Sequence, residues 1–400
     1  MTFTRYELTI PVELTSELHI GGVDEVPERD GEGTVIRFCR NGLKEPTIPG
    51  RSIKGAVRAA CDIARQTMED AGHPATQDGG AFSQENWISL WGDDSLDTGK
   101  SLRDRRLRSD DSLPIRQSAL TFHAVSFPEH KDSDSGESPL PRRHGVGIDR
   151  TTGAASDGAL YEHEFLPRST KFDIRITAEG RDDETMGRDQ SDGIPGPASS
   201  DTVKKLLEFI VDVLTQHKVS LGGRTGSGQG SFTVDKPDLR TLAATTGKET
   251  GTSLTEALNS LIGTEATGSH TDLELGGWTL EEPARITIDW WSPTGIFVAE
   301  DEELTKQRKA QKEEENRKKG IDEEVHEVVY PLRDPSEAWE NAQLLIPGTS
   351  IRGALRSRAS RIARTVLAAK GELSTFASHD LHEQIAAEPN LVRYMFGSTE

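Results

Sequence analysis

The sequence lacks the usual marks of a secreted or membrane-bound protein. Among its 400 residues are two cysteines, Cys39 and Cys61, with no CxxC pair and no histidine at zinc-ligand spacing. No run approaches about 18 apolar residues. Residues 1–15 have neither the basic start nor the long apolar stretch of a signal peptide. We therefore predict a reduced, cytoplasmic protein without structural zinc and without a membrane partner.

Positive charge is also in short supply. The chain has 47 basic and 67 acidic residues and a net charge of −20, whereas nucleic-acid-binding domains usually carry a basic excess. Much of the acidity falls in stretches that we predict to be loops or insertions, such as residues 132–137, 181–192 and 300–324. A locally positive site is therefore compatible with the negative total.

An eleven-residue signature occurs twice. Residues 48–58 read IPGRSIKGAVR, and residues 346–356 read IPGTSIRGALR. A repeat of this length predicts two related modules. In each copy a Pro-Gly turn leads into a helix that Ser52 or Ser350 is placed to cap, and the free amides of a helix N-terminus attract phosphate. The cations and polar groups that we predict to bind RNA beside these helix ends are Arg51, Lys54, Arg58, Thr349, Arg352 and Arg356, together with the two serines.

Each signature also has a purely structural interpretation, in which a capped helix carries solvated charges. For one copy alone that interpretation would be preferred. Because both copies keep the cationic positions, we favour phosphate binding, of the kind that grips a ribose-phosphate backbone without reading bases.

The pattern of elements predicts an α+β protein. Strands at residues 6–20, 113–125 and 172–178 and helices at 53–65 and 201–217 follow the order of a ferredoxin-like, or RRM-like, sandwich with an insertion. Residues 142–165 are predicted to form a long hairpin.

We predict a first module at residues 1–235, a Thr/Gly/Ser-rich linker at 236–282 with one short helix at 254–261, and a second module at 283–400. The second begins with a strand predicted at 285–291 and has a charged insertion at 300–333. Within that insertion, residues 302–324 pair Glu and Lys at helical separations and predict a solvated helix. The second module contains only the first half of the pattern, so we expect either a fragment or a module that is incomplete by design.

A glycine-rich loop, GGRTGSGQG, spans residues 222–230 and leads into a strand. It lacks the Gly-Lys-Ser/Thr ending of a nucleotide-binding P-loop and the helix that should follow. A flexible turn is the ordinary interpretation of such a loop. Arg224, Thr225 and Gln229 nevertheless give it polar side chains that could reach an RNA backbone.

Taken together, these motifs resemble the RAMP superfamily of CRISPR-associated proteins, and within it the backbone subunits of type III effector complexes. The resemblance rests on LHIGG at residues 18–22, the first signature, LWG at 90–92, GIDRTTGAA at 147–155, GALYE at 158–162 and the glycine-rich loop. It implies a subunit that coats guide RNA, with a thumb-like hairpin around residues 148–164. Arg150 and Thr151, near the tip of that hairpin, become candidates for RNA contact.

The resemblance also implies metal-dependent cleavage of a paired target RNA, supported by an aspartate in the loop after the first strand. That loop offers Asp24, Asp30 and Glu32, and Glu32 falls nearest the family's aspartate when counted back from the Ile-Pro-Gly turn. Mg²⁺ or Mn²⁺ would suit carboxylate and phosphate oxygens. A solvated acidic loop is an equal alternative, so enzymatic activity stays open.

Three functions therefore remain in view. The first is a guide-RNA-binding subunit of a type III CRISPR ribonucleoprotein that also cleaves target RNA. The second is a structural subunit of the same complex, bound to its other subunits but without cleavage. The third is an acidic scaffold protein with no RNA ligand, which the net charge favours.

Overall fold

The computed structural model describes most of the chain. The described residues are 2–22, 28–30, 33–92, 118–128, 140–149, 152, 155–182, 198–216, 219–245, 269–278, 286–300, 302–321, 325–326, 328–334, 343–372 and 381–397. A short helix predicted at residues 254–261 lies outside them.

Strands and helices alternate irregularly along the chain. The strands are β1 (Thr2–Leu14), β2 (Glu28–Asp30), β3 (Gly33–Ile36), β4 (Thr47–Ile48), β5 (Leu120–Phe122), β6 (Val125–Ser126), β7 (Arg142–Ile148), β8 (Ala155–Glu164), β9 (Lys171–Asp182), β10 (Phe232–Val234), β11 (Asp238–Thr245) and β12 (Ser269–His270). The helices are α1 (Gly50–Asp70), α2 (Gln84–Trp91), α3 (Ser200–Gln216), α4 (Glu302–Lys319), α5 (Gly348–Ala369), α6 (Leu381–Ala386) and α7 (Asn390–Phe396). The predicted α+β class is confirmed.

The main sheet has the strand order β12-β11-β1-β9-β5, and β10 pairs with the other end of β1. Its pairings are antiparallel. Alternate side chains of β1 point into the core, so that Leu8 lies opposite Ile176 and Ile10 lies opposite Ile174. Because side chains alternate across a strand, one face of the sheet is apolar, and α1 and α3 cover the core on that side.

A second, smaller sheet carries the hairpin predicted at residues 142–165. Its order is β2-β3-β8-β7, with β7 and β8 antiparallel and β3 and β8 parallel. The short hairpin of β2 and β3 is therefore attached to the long hairpin rather than to the main sheet. This places the end of the acidic loop beside the predicted thumb.

Helix α1 buries the stripe of residues that the sequence predicted, including Ile53, Val57 and Cys61. The predicted serine caps are wrong, however. Helix α1 begins at Gly50 with Pro49 as its N-cap, and α5 begins at Gly348 after Pro347, both without a side-chain cap. The extended proline leads directly into the helix, so Ser52 and Ser350 already lie within the first turn.

The second copy of the pattern departs further from prediction. Residues 286–291, the described part of a strand predicted at 285–291, form no strand. A strand needs a hydrogen-bonded neighbour, and the described residues offer it none. Helix α4 is polar all round, as its paired Glu and Lys residues predicted. In the described part of the chain, no helix combines the length and hydrophobicity that crossing a bilayer would require.

Candidate nucleic-acid interface

A cleft of about 510 Å³ opens between the β7–β8 hairpin and the first half of α5. The hairpin contributes His144, Val146 and Tyr161, among others, and the helix contributes Thr349, Ser350, Arg358 and Arg361. A single cleft thus combines the two regions that the sequence assigned to different modules. Its helical wall is cationic.

A glycine on the neighbouring strand of the hairpin leaves room for the ring of Tyr161. Tyr161 lies opposite Gly145 in the β7–β8 register, and a Cβ on Gly145 would overlap the Tyr161 ring. The ring therefore lies flat across the neighbouring strand. The Arg224 guanidinium lies 4.7 Å from the centre of the same ring and donates to the Tyr161 hydroxyl at 2.9 Å. This contact ties the glycine-rich loop to the hairpin.

The backbone of the glycine-rich loop turns at Arg224. The backbone of this residue is left-handed, with φ of 59°, an uncommon conformation for a residue with a Cβ. Thr225 follows it in a short 3₁₀ turn, Thr225–Ser227. The start of α5 lies next to this turn. Its first residue, Gly348, is so close that a Cβ there would overlap the carbonyl of Ser227. The loop thus joins hairpin and helix at one end of the cleft.

A layer of buried histidines lies beneath the loop. Gln229 donates through Nε2 to Nε2 of His163, at 3.2 Å, and His163 is 1% exposed. Burial, with Arg224, His19 and Arg143 nearby, lowers the pKa of His163 to about 3. His19 donates from Nδ1 to the Glu164 carbonyl at 2.6 Å, and burial lowers its pKa too. Both rings are neutral supports at physiological pH.

Several cations near the hairpin are neutralised by carboxylates. The Glu164 carboxylate accepts from Arg40 at 2.8 Å and from the amide of Phe38 at 2.9 Å. Glu17 forms an ion pair with Arg143 of β7. Burial raises the pKa of Glu17 to about 6, although the adjoining Arg143 acts to lower it. These buried pairs stiffen the base of the hairpin.

The predicted cations of the first signature lie outside the cleft. Arg51 is exposed and Lys54 half-buried, and burial followed by the neighbouring Arg58 lowers the pKa of Lys54. Arg58 lies 3.6 Å from Asp62. None of the three is among the residues that line the cleft.

The predicted RNA-binding arginines of the second signature form hydrogen bonds within the protein. Arg352 donates to the carbonyl of Phe396, at the end of α7. Arg356 pairs with the buried Glu388, at 3.1 Å from Nε to each carboxylate oxygen, and donates to the carbonyl of Gly397. They hold α7 against α5. Arg358 and Arg361, which come later in α5, line the cleft instead. The sequence pattern did not single them out.

The predicted catalytic loop is described only in part. Asp24 and Glu32 lie outside the described residues, as do Arg150 and Thr151 of the hairpin tip. The backbone of Asp30 ends β2, opposite Gly33. Among the described residues, no three His, Cys, Asp or Glu side chains come together to hold a metal.

A family model described as the RAMP superfamily matches residues 12–233, from within β1 to within β10. A solved structure described as "Type III-B Cmr-beta Cryo-EM structure of the Apo state" is similar to this chain at 13% identity and a TM-score of 0.34. The alignment covers 57% of this chain and 96% of that one. No curated protein matches the sequence.

Proposed function

We propose that this chain, which belongs to the RAMP superfamily, is a guide-RNA-binding subunit of a type III CRISPR ribonucleoprotein. In this proposal the cleft between the β7–β8 hairpin and α5 holds the ribose-phosphate backbone of the guide. The other subunits of the complex and a paired target RNA are its further partners.

The observation that carries the proposal is the cationic, two-sided form of the cleft. Helix α5 is 22 residues long and has no acidic residue in its first turn, so the positive end of its dipole is not cancelled locally. Thr349 and Ser350 place hydroxyl groups at that end, and Arg358 and Arg361 add charge along the same wall. Amides, hydroxyls and guanidinium groups are the usual partners of phosphate oxygens.

The opposite wall suits the sugar and base side of a nucleotide. Tyr161 is partly exposed there beside Val146 and His144. The faces of the Tyr161 ring are covered by Gly145 and Arg224, so its exposed edge, with Val146 and His144, offers van der Waals contact that does not depend on base identity. Such a surface would bind guides of different sequence, as a protein that carries many guides must.

We also propose that the acidic loop supports cleavage of the target RNA. The support is positional, since Asp30 ends a strand of the sheet that also carries the hairpin. A carboxylate near a 2′-hydroxyl could assist proton removal. Mg²⁺ or Mn²⁺ dependence remains a prediction, because Asp24 and Glu32 lie outside the described residues.

RNA binding can be tested with a charge-matched pair of variants. Arg358→Ala with Arg361→Ala removes two cations from the cleft, whereas Arg317→Ala with Lys318→Ala removes two from the distant, exposed helix α4. We expect only the first variant to weaken guide-RNA binding and to lower the slope of log affinity against log salt by about 1 to 2. Equal effects of both variants would overturn the proposed cleft. No binding by the unchanged protein would favour the acidic scaffold.

Cleavage needs a separate experiment. The complex, loaded with guide, is incubated with complementary RNA with and without Mg²⁺, using Asp24→Asn, Asp30→Asn and Glu32→Gln variants singly. Regular cuts that one of these changes abolishes would support a target-cleaving subunit. Guide binding without any cut would leave a structural subunit.

A further inference from the structure

We propose that the cavity between helix α4 and residues 325–326 and 328–330 is a second binding site for the ribose-phosphate backbone of the RNA that the cleft holds. This site rests on the proposed function, because the RNA strand would leave the cleft at the start of α5 and continue to Lys309 and Lys312 of α4. The charged insertion would thereby lengthen the RNA-binding surface of the chain.

The α4 cavity has a volume of about 420 Å³ and a cationic wall. Arg308, Lys309 and Lys312 of α4 form that wall. Among the described residues that line the cavity, Glu315 is the only carboxylate, and it pairs with Lys319 at 3.8 Å. The cavity is therefore locally positive in a chain whose net charge is −20.

Lys309 and Lys312 differ from the lysines at the end of the same helix. Lys318 forms an ion pair with Glu314 at 2.9 Å. Lys309 is half-buried and Lys312 is exposed, and neither forms an ion pair with any described residue. Like charges three residues apart on a helix repel each other mildly. A bound anion would remove that repulsion, so the two lysines are placed to contact phosphate groups.

Arg308 has a structural role beneath the lysines. Its guanidinium group pairs with Glu300 and lies 5.5 Å from the centre of the Tyr330 ring. Glu300 is 7% exposed and also accepts from the Thr305 hydroxyl at 3.2 Å. Because this carboxylate is buried and paired, it presents no free negative charge to an RNA strand. Val328 and Tyr330 supply an apolar wall that suits the sugar side of the strand.

A smaller cavity of about 130 Å³ lies between the cleft and the α4 cavity. It shares His144, Thr349 and Ser350 with the cleft. Its lining also includes Glu300, whose amide donates to the carbonyl of Tyr330 at 2.9 Å, and Tyr330 lines the α4 cavity. The three cavities therefore adjoin one another in a row. This continuity favours one long polyanion over a separate acidic protein as the occupant.

The test compares two charge-matched variants of the full chain. Lys309→Ala with Lys312→Ala changes the α4 cavity, whereas Arg317→Ala with Lys318→Ala changes the last turn of α4. With single-stranded RNA of about 16 nucleotides, we expect only the first variant to lower the slope of log affinity against log salt, by about 1 to 2. With RNA of about 4 nucleotides bound at the cleft, we expect both variants to bind as the unchanged protein does.

A photoreactive thiouridine at either end of the longer RNA, in two separate preparations, gives a second readout. We expect one of the two ends to cross-link to a peptide that contains Tyr330, and Lys309→Ala with Lys312→Ala to remove most of that product.

The cleft variant, Arg358→Ala with Arg361→Ala, separates this proposal from the proposed function. If it weakens RNA binding while the lysine variant changes neither the salt slope nor the cross-link, the α4 site is excluded and the cleft remains. That is also the result expected if the α4 cavity binds an acidic protein instead. If neither variant affects RNA binding, both sites are excluded.

Discussion

Helices α1 and α5 begin with nearly the same eleven residues but have different surroundings. Each starts at the glycine that follows an extended proline, and a nearby carbonyl leaves no room for a Cβ on that glycine. A Cβ on Gly50 would overlap the carbonyl of Phe122 in β5, and a Cβ on Gly348 would overlap the carbonyl of Ser227 in the glycine-rich loop. The loop of the first module thus takes, for α5, the place that β5 takes for α1.

The similarity extends to a later helix in each copy. Helix α2 ends at Trp91 before Gly92, with φ of 92° and ψ of 168°, and α7 ends at Phe396 before Gly397, with φ of 78° and ψ of 164°. These conformations are accessible essentially to glycine alone. The environments again differ, since Trp91 is buried and stacks on Phe122, whereas the Phe396 carbonyl is held by Arg352.

The comparison shows that the signature specifies how a helix starts but not what covers it. Burial of the stripe depends on strands and a helix that come much later in the first module.

A charge in each stripe should separate the copies most clearly. Val57→Asp places an unpaired carboxylate in the core and should lower the free energy of unfolding by at least about 4 kcal/mol. Leu355→Asp, at the corresponding exposed position, should change it by no more than about 0.5 kcal/mol in the isolated chain. Urea unfolding measures both, and similar losses would contradict the difference in burial.

The corresponding arginines should also differ. Arg356→Ala leaves the buried Glu388 without its partner, which typically costs about 3–5 kcal/mol locally, so amide exchange in α7 should become fast. Arg58→Ala removes a partly exposed pair with Asp62, and such pairs contribute about 0–1 kcal/mol. Glu388→Gln is the control that keeps the shape of the site. Unchanged exchange in α7 after Arg356→Ala would disprove this structural role.

The two turn glycines should act on different properties. Gly50→Ala forces α1 away from β5 and should destabilise the first module by about 1–3 kcal/mol. Gly348→Ala should leave that module's unfolding unchanged and instead move α5 from the glycine-rich loop, which would alter the cleft and weaken RNA binding. Thermal unfolding and RNA titration distinguish the outcomes. A loss of first-module stability in Gly348→Ala would count against the comparison.

Acid should destabilise the first module selectively. The pKa of His163 is about 3 in the folded protein and about 6.5 when unfolded, so the unfolded chain binds the extra proton as pH falls. The contribution of His163 to stability is therefore complete above about pH 6.5 and lost progressively below it, by about 2 kcal/mol at pH 5. Glu17 offsets part of this loss, because its raised pKa of about 6 makes the folded state bind a proton more readily than the unfolded chain. His163→Gln should flatten this dependence between pH 5 and 7. An unchanged pH profile in the variant would exclude His163 as its source.

Sequence reasoning succeeded where a pattern is local. The alternation in β1 and β9 and the period of α1 and α3 each record the burial of one face of a single element. It failed at the serine caps, because the chain can enter a helix directly from the extended proline. It failed at residues 286–291 because a strand exists only with a neighbour to accept its hydrogen bonds.

The structure brings some of the predicted site residues together and separates others. Arg224 and Gln229 contact the hairpin, whereas Thr225 lies in the turn between them. Arg352 and Arg356, which look like free cations in the signature, bind the end of α7 and Glu388. Arg358 and Arg361 carry no motif and were missed. One feature of the cleft could have been predicted from the sequence. Gly145 lies across the hairpin from Tyr161, and a glycine leaves room for an aromatic ring on the opposite strand.

The sequence by itself determined the RAMP-like order of elements, the repeated helix start and the apolar faces, because these depend on backbone propensity and side-chain period. Only the tertiary structure decided which cations are available to a ligand and which apolar stripe is covered. Those outcomes depend on contacts between residues far apart in the chain, such as Arg356 with Glu388 and Arg224 with Tyr161. A local pattern does not encode its distant partner.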